Sequence, residues 1–311
     1  MKPVKRVLLL GGGGFIGSAV AAALAARGIG TTVQTRRIVR ASHLSPLPTV
    51  GFVQADPYDD AALNRLMPGH NAVVNLIATL HAPFEAAHVD LPARAARVAA
   101  ASGVTHFLHF SALGAGLTAP SGYLQSKERG ESALHNVSDG SGMTATVLRP
   151  SVVFGEHDNF LNLFGTLAKW SPFIPLGSPS ALFQPVWVED VARAVVECLE
   201  NPTAQGGTWN LVGPRIYTLR ELIGLVMRLS GHRRPILTLG PSLSMMQAAV
   251  FEHLPGRLIT RDNVLSMRVP NTSDAPFPFF AAHELETTAA RWLGAAKFAD
   301  PFASARERAG R

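Results

Sequence analysis

Two short stretches of this chain carry residue types and spacings that can do chemistry. The first is KRVLLLGGGGFIGSAVAAALAARG, residues 5–28, an apolar run that breaks into glycines and then into an alanine-rich helical pattern. Gly12, Gly14 and Gly17 satisfy G-x-G-x-x-G, while Gly11, Gly14 and Gly17 satisfy G-x-x-G-x-x-G. A strand-to-helix turn without Cβ atoms lets a pyrophosphate approach the backbone. The helix N-terminus then offers unpaired N–H groups and a partial positive charge. The second stretch is GYLQSKERGE, where Tyr123 and Lys127 stand four residues apart and share one face of a helix. Of the three tyrosines, only Tyr123 is followed by a lysine at that spacing.

The residues after the glycines indicate which nucleotide suits them. NAD sites place an Asp or Glu about 20 residues on, where it accepts from the ribose 2′-hydroxyl. No acidic residue precedes Asp56, and Arg36 and Arg37 occupy the expected position. Guanidinium groups there suit a 2′-phosphate. The expected ligand is therefore NADP(H), with NAD(H) as the alternative.

These residues need a scaffold, and the pattern supplies one. RVLLL, TTVQTR, GFVQAD, NAVVNLIAT, THFLHFSA and TATVLRPSVVFG read as strands. Helical patterns alternate with them, including DDAALNRLM, PARAARVAAASG and GYLQSKERGESALHN. Such alternation predicts an α/β doubly wound parallel sheet, a Rossmann fold, with ligands at the carboxyl ends of its strands. After Gly155 the rhythm changes, with Pro172, Pro175, Pro179 and Pro185 punctuating a loop-rich stretch. The expected division is residues 1–155 plus 182–213 for the dinucleotide-binding domain. Residues 156–181 plus 214–311 form a smaller C-terminal lobe for substrate or partner. Asp190 is expected to cap the helix in VWVEDVARAVVECLENP, and Thr218 with Glu221 has capping-box spacing. PFPFF, residues 276–280, with Met267, suits packing within the small lobe or a partner or membrane surface.

Composition narrows the function classes. The 311 residues are 47% hydrophobic and 16% charged, with net charge +6. No dense Lys/Arg run with interleaved aromatics appears, so nucleic acid is not an expected partner. The single Cys198 lies in an apolar helical stretch and reads as a buried thiol. Scattered histidines give no expected metal site, and His81 reads as a loop histidine with a structural bond. No signal peptide and no apolar window of ~18–20 residues is evident, so the expectation is a cytoplasmic protein, at most peripheral to the inner face of a membrane.

GGGGFIG, Asp56, YLQSK, LRPSVVFG and VWVEDVARAV together resemble the extended short-chain dehydrogenase/reductases, over residues 5 to 215 in order. That resemblance selects the spacing Gly11, Gly14, Gly17, with Gly12 and Gly13 as variable positions and Phe15 and Ile16 inside the motif. It implies that Asp56 lies near the adenine, Ala78 beside the cofactor, and Pro150 and Val153 on the nicotinamide side. It also implies that Lys127 lowers the pKa of Tyr123 and binds the nicotinamide ribose, while Tyr123 relays a proton. The family's catalytic hydroxyl would fall at Ala112, with Ser111 one place earlier on the opposite strand face. VVNLIA, GEHDNFLNLF, FIPLG, QPVWVEDVARAV and LVGPRIYTLRELI resemble an atypical subgroup, the NADPH-binding accessory subunits of respiratory complex I and their bacterial relatives. Membership of that subgroup implies an accessory or assembly role in a respiratory or quinone-related system. The alternative is an NADP-dependent oxidoreductase or nucleotide-sugar epimerase or dehydratase working through Tyr123 and Lys127.

Overall fold

Val7, Leu8, Leu9 and Leu10 are all fully buried, as a strand covered on both faces requires. They form β1 (Arg6–Leu10), an interior strand of a seven-stranded sheet in a computed structural model that describes residues 4–252 and 260–294. The chain continues through α1 (Phe15–Ala26), β2 (Gly30–Thr35), β3 (Val50–Gln54), α2 (Asp60–Leu66) and β4 (Ala72–Asn75). It proceeds through α3 (Leu91–Ala101), β5 (His106–Phe110), α4 (Gly122–Ser138), β6 (Thr144–Pro150) and β7 (Val153–Phe154). Then come α5 (Leu161–Trp170), β8 (Ile174–Gly177), β9 (Leu182–Phe183), β10 (Val186–Trp187) and α6 (Val188–Glu200). The last elements are β11 (Thr208–Leu211), β12 (Tyr217–Thr218), α7 (Leu219–Leu229), β13 (Ile236–Leu239), α8 (Pro241–Phe251), α9 (Arg261–Ser266) and α10 (Leu285–Ala289).

The sheet order is β11-β6-β5-β4-β1-β2-β3, and every pair in it is parallel. The chain moves one way from β1 to β3 and the other way from β4 onward. The switch point between β1 and β4 is where a doubly wound sheet leaves a crevice at its carboxyl edge. Helices α1 and α6 cover one face through Val20, Leu24, Val191 and Val195. Helices α2, α3 and α4 cover the other through Leu63, Ala95, Ala99 and Leu134. A third apolar cluster joins α5, β8, α7 and α10 through Phe164, Ile174, Leu222 and Leu285, and Met267 packs on its margin. Residues 253–259 and 295–311 of the expected small lobe lie outside the described residues.

Local signals behave as their chemistry dictates at several ends. Thr218 and Glu221 form the expected capping box, and Gly231 (φ 73°) follows the end of α7. Two expectations are corrected. Asp190 does not cap α6: Trp187 holds that position, and Asp190 lies inside the first turn. Its buried carboxylate instead accepts from the backbone N–H of His283 at 2.7 Å and pairs with His283 Nδ1 at 2.8 Å. The PFPFF stretch packs on the sheet domain, not within the small lobe. Phe277 is buried in the first core, against Trp209 of β11, and Arg193 of α6 stacks on Phe280 at 4.2 Å.

Candidate functional site

The glycine turn leaves β1 and enters α1 at the switch point. Gly11 has φ 77°, a left-handed conformation, and a Cβ there would lie 2.8 Å from Ile77 Cγ1. At Gly17 a Cβ would meet the backbone of Gly12 at 2.5–2.7 Å, so α1 packs directly on the turn. Gly12 is not a permissive position either, because a Cβ there would meet Leu9 Cβ at 2.7 Å. This corrects the expectation that Gly12 varies freely: α1 and β1 close on it from both sides. Gln34, which pattern reading passed over, braces the turn. Its Oε1 accepts from Gly11 N at 3.0 Å, and its Nε2 donates to Ala55 O at 2.7 Å. Phe15 reaches across to the β7 turn, 3.0 Å from where a Gly155 Cβ would stand. Ile16 packs partly buried on the first core.

Arg36 and Arg37 follow β2 and are exposed; among the described residues neither joins an ion pair. Asp56 follows β3, where its Oδ1 accepts from Tyr58 N at 3.1 Å. Burial raises the Tyr58 phenol, with Arg36 pulling against it and Asp56 adding to it, so Arg36, Asp56 and Tyr58 lie within electrostatic reach of one another. Ala78 is exposed after β4. Pro150 ends β6, its carbonyl accepting from Leu113 N, and Val153 pairs with Val186 of β10. His81 N donates to Thr79 Oγ1 in the same loop at 3.2 Å. The predicted binding residues thus follow the carboxyl ends of β1, β2, β3, β4 and β6.

Tyr123 and Lys127 occupy the first two turns of α4, which Arg149 of β6 fastens through Glu128 and Glu131. Lys127 is buried, donates to Phe110 O at 2.9 Å, and lies 6.0 Å from the Tyr123 ring centre. Burial lowers its pKa to about 8, against a raising pull from Glu131. The Tyr123 phenol moves opposite to the family expectation. Burial, then the Asp262 carboxylate, pushes it up to about 12. Removing the phenolate's solvent outweighs what the ammonium offers across that distance.

Two residues around Tyr123 escaped sequence reasoning. His88 sits in a wide π-type turn, Ala86–Asp90, against Gly130, where a Cβ would clash with His88 O. Thr79 N–H donates to His88 Nε2 at 3.0 Å, and Ser126 Oγ donates to Tyr123 O at 2.7 Å. His88 Nδ1, 2.8 Å from Ser126 Oγ, therefore carries the proton. The His88 ring meets the Tyr123 ring edge-on at 5.4 Å and stacks on Phe84 at 5.5 Å. Burial, helped by Lys127, lowers the His88 pKa to about 3. The second residue is Asp262 of α9, whose carboxylate accepts from Gly122 N at 2.9 Å and Tyr123 N at 3.2 Å. Only Gly130 inside a helical pattern hinted at the first, and nothing local hinted at the second.

Alternation along β5 sends Phe107 to the α4 side and Leu108 and Phe110 to the α1–α6 side. The extended run continues, with Ser111 N donating to Leu148 O and Leu113 N to Pro150 O. Ser111 therefore shares the side of Tyr123 and Lys127, and Ala112 faces away. By that alternation Ser111, rather than Ala112, lies on the side of the candidate pair. Ser111 is buried and its Oγ has no hydrogen-bond partner.

A family model described as the NAD dependent epimerase/dehydratase family matches residues 7–212. The chain belongs to this family. Its members' name carries the nicotinamide dinucleotide, which is the ligand class of the glycine turn described above. Within the family, the chain is 32% identical over 196 residues to the mouse mitochondrial NADH dehydrogenase [ubiquinone] 1 alpha subcomplex subunit 9, covering 61% of this chain and 50% of the relative. The Arabidopsis thaliana subunit of the same name is 34% identical, over 58% of this chain and 46% of the relative. The match thus spans about half the length of these relatives. A ceramide reductase from Caulobacter vibrioides is 30% identical, over 63% of this chain and 61% of the relative. The fold also matches a dTDP-glucose 4,6-dehydratase from Streptomyces venezuelae (TM-score 0.68, 21% identity, 75% of this chain and 84% of that one). Among the described residues no helix is long and apolar enough to cross a membrane.

Proposed function

We propose that this protein binds NADP(H) and holds it as a resident ligand, serving as an accessory or assembly factor of a respiratory, complex I-like or quinone-related system at the membrane's inner face. The observation that carries the holding role is the state of Tyr123. A general acid–base works best with a pKa near the operating pH, whereas this phenol is boxed by Phe84 and His88 and pushed up to about 12. The glycine turn fits a pyrophosphate: Gly11 turns the chain, Gly14 is exposed at the start of α1 and Gly17 lets α1 pack on the turn, with Phe15 and Ile16 opening α1 behind it. In this reading Arg36 and Arg37 receive the 2′-phosphate, Asp56 lies at the adenine, and Ala78, Pro150 and Val153 line the nicotinamide side. Lys127 and Tyr123 hold the ribose. The likeness to respiratory subunits supports the partner class.

A second reading, an NADP-dependent oxidoreductase or epimerase, draws support from Ser111. Its unpartnered hydroxyl faces the Tyr123 side, as a substrate-positioning donor would. The bound dinucleotide would supply hydride, while Tyr123 carries the proton and Ser111 orients the reacting oxygen. One experiment separates the two. Protein loaded with NADPH is mixed with candidate carbonyl substrates and the reduced-nicotinamide absorbance is followed. Persistent absorbance is expected; oxidation that Tyr123→Phe abolishes would establish the second reading. Capture of respiratory subunits from host membranes is the partner's test.

A further inference from the structure

Residues 260–273 leave the small lobe and cross the carboxyl ends of β5 and β6. Thr260 opens α9 with a capping box, which fixes Asp262 in its first turn. The Asp262 carboxylate then takes both leading amides of α4, a 17-residue helix, through two charge-assisted bonds that the helix dipole favours. Ser266 Oγ donates to Ser121 Oγ at 2.8 Å, and Ser121 in turn caps α4 at Leu124 N. Val269 lies against Gly114, with its Cγ1 3.5 Å from an ideal Cβ there. Asn271 closes the far end: its Oδ1 accepts from Ser151 Oγ and from Val152 N, and its Nδ2 donates to Leu113 O. The strap is thus sewn to the first turn of α4 at one end and to the β5–β6 edge at the other.

We infer that Asp262 is a positioning residue through which the C-terminal strap fixes Tyr123. Tyr123 is the second residue of α4, so a group that clamps its amide clamps the base of its side chain. Four residues face the phenol. Phe84 and His88 come from the turn before α3, Lys127 from its own helix, and Asp262 from α9. Among them Asp262 alone brings a negative charge, which favours the protonated phenol. The strap therefore fixes the start of α4, and with it Tyr123, and sets a carboxylate near the phenol. This inference rests on the reading of Tyr123 as the residue at the nicotinamide ribose.

The test uses the full chain with Tyr58→Phe and Tyr217→Phe, leaving Tyr123 as the sole tyrosine, with and without Asp262→Asn. Tyrosinate absorbance is titrated with pH while circular dichroism tracks the fold, and exchange of the Gly122 and Tyr123 amide protons is followed by NMR. Asp262→Asn is expected to lower the titration midpoint by about half a unit or more and to speed both amides about tenfold. Faster exchange with an unchanged midpoint would reduce Asp262 to a helix cap and overturn the inference, as would no change in either. If Asp262→Asn does not fold, Ser266→Ala loosens the same contact with the charge retained. It must then raise amide exchange at Gly122 and Tyr123, and unchanged exchange refutes the strap. Separately, NADPH affinity unaltered by Tyr123→Phe would remove the ribose reading while leaving the titration result standing.

Discussion

Acid should weaken this protein through His88. In the native state the ring is buried, receives Thr79 N–H at Nε2, and is held neutral with its pKa lowered to about 3 from the ordinary 6.5. A second proton would sit on Nε2 and confront the Thr79 donor, while Lys127 repels the new charge. The folded pKa lies below the unfolded one, so the neutral ring's contribution is complete above about pH 6.5. It is lost as pH falls through the window toward 3. At about pH 4.5, two units into that window, the loss is about 3 kcal/mol at 1.4 kcal/mol per unit. His88→Phe keeps the ring contacts to Phe84 and Tyr123, removes the titration, and costs about 1–3 kcal/mol at neutral pH by orphaning Thr79 N–H and Ser126. Urea unfolding of both proteins from pH 7.5 to 4.5 is the assay. The wild-type advantage at neutral pH should shrink steadily and vanish or reverse by the acid end. A gap that stays constant across the range would show that His88 is not neutral by burial.

Replacing Gly17 with Ala drives a Cβ into the Gly12 backbone at 2.5–2.7 Å. The turn must distort at a cost of about 1–3 kcal/mol, and NADPH affinity should fall with the melting temperature; an unchanged titration would refute the cradle. Replacing Arg36 and Arg37 with Ala should weaken NADPH far more than NADH in fluorescence titrations, and equal losses would overturn the 2′-phosphate assignment. Cys198 is fully buried, with its thiol pushed up to about 12 by burial and by Glu197. A thiol reagent should therefore leave it untouched until denaturant is added, and rapid labelling of the native protein would contradict that burial.

What could be read from the sequence is what neighbouring residues settle among themselves. The glycine turn, the alternating elements and the Thr218–Glu221 box each depend on contacts within a few positions, so spacing alone reveals them. Gln34 braces Gly11 from 23 residues away, and Asp262 reaches Gly122 from 140. No local pattern distinguishes such residues from any other polar side chain on a strand or helix. Asp190 was misplaced for a related reason: an acid in the first turn satisfies the helix dipole as well as a cap does. Its partner His283 is 93 residues on. Whether Ser111 or Ala112 lies on the Tyr123 side turns on register, because a single step flips a side chain to the other face. Only the partner strand fixes that register, through Ser111 N to Leu148 O.

The aromatic stretch on β11 makes the two parts of the chain interdependent in production as well as in form. The family match ends at residue 212, and a fragment cut there would look like a complete dinucleotide-binding unit. It would lack Phe277, Phe279 and Phe280, which lie against Trp209 and Arg193 at the sheet's outermost strand. The severed piece would present a bare aromatic seam beside an open strand, the combination that drives chains to associate. Any chimaera that grafts a new C-terminal region onto this nucleotide unit must therefore carry residues 277–280 with the old half. The functional boundary of the nucleotide unit is a surface contributed from late in the chain, not a cut point along it.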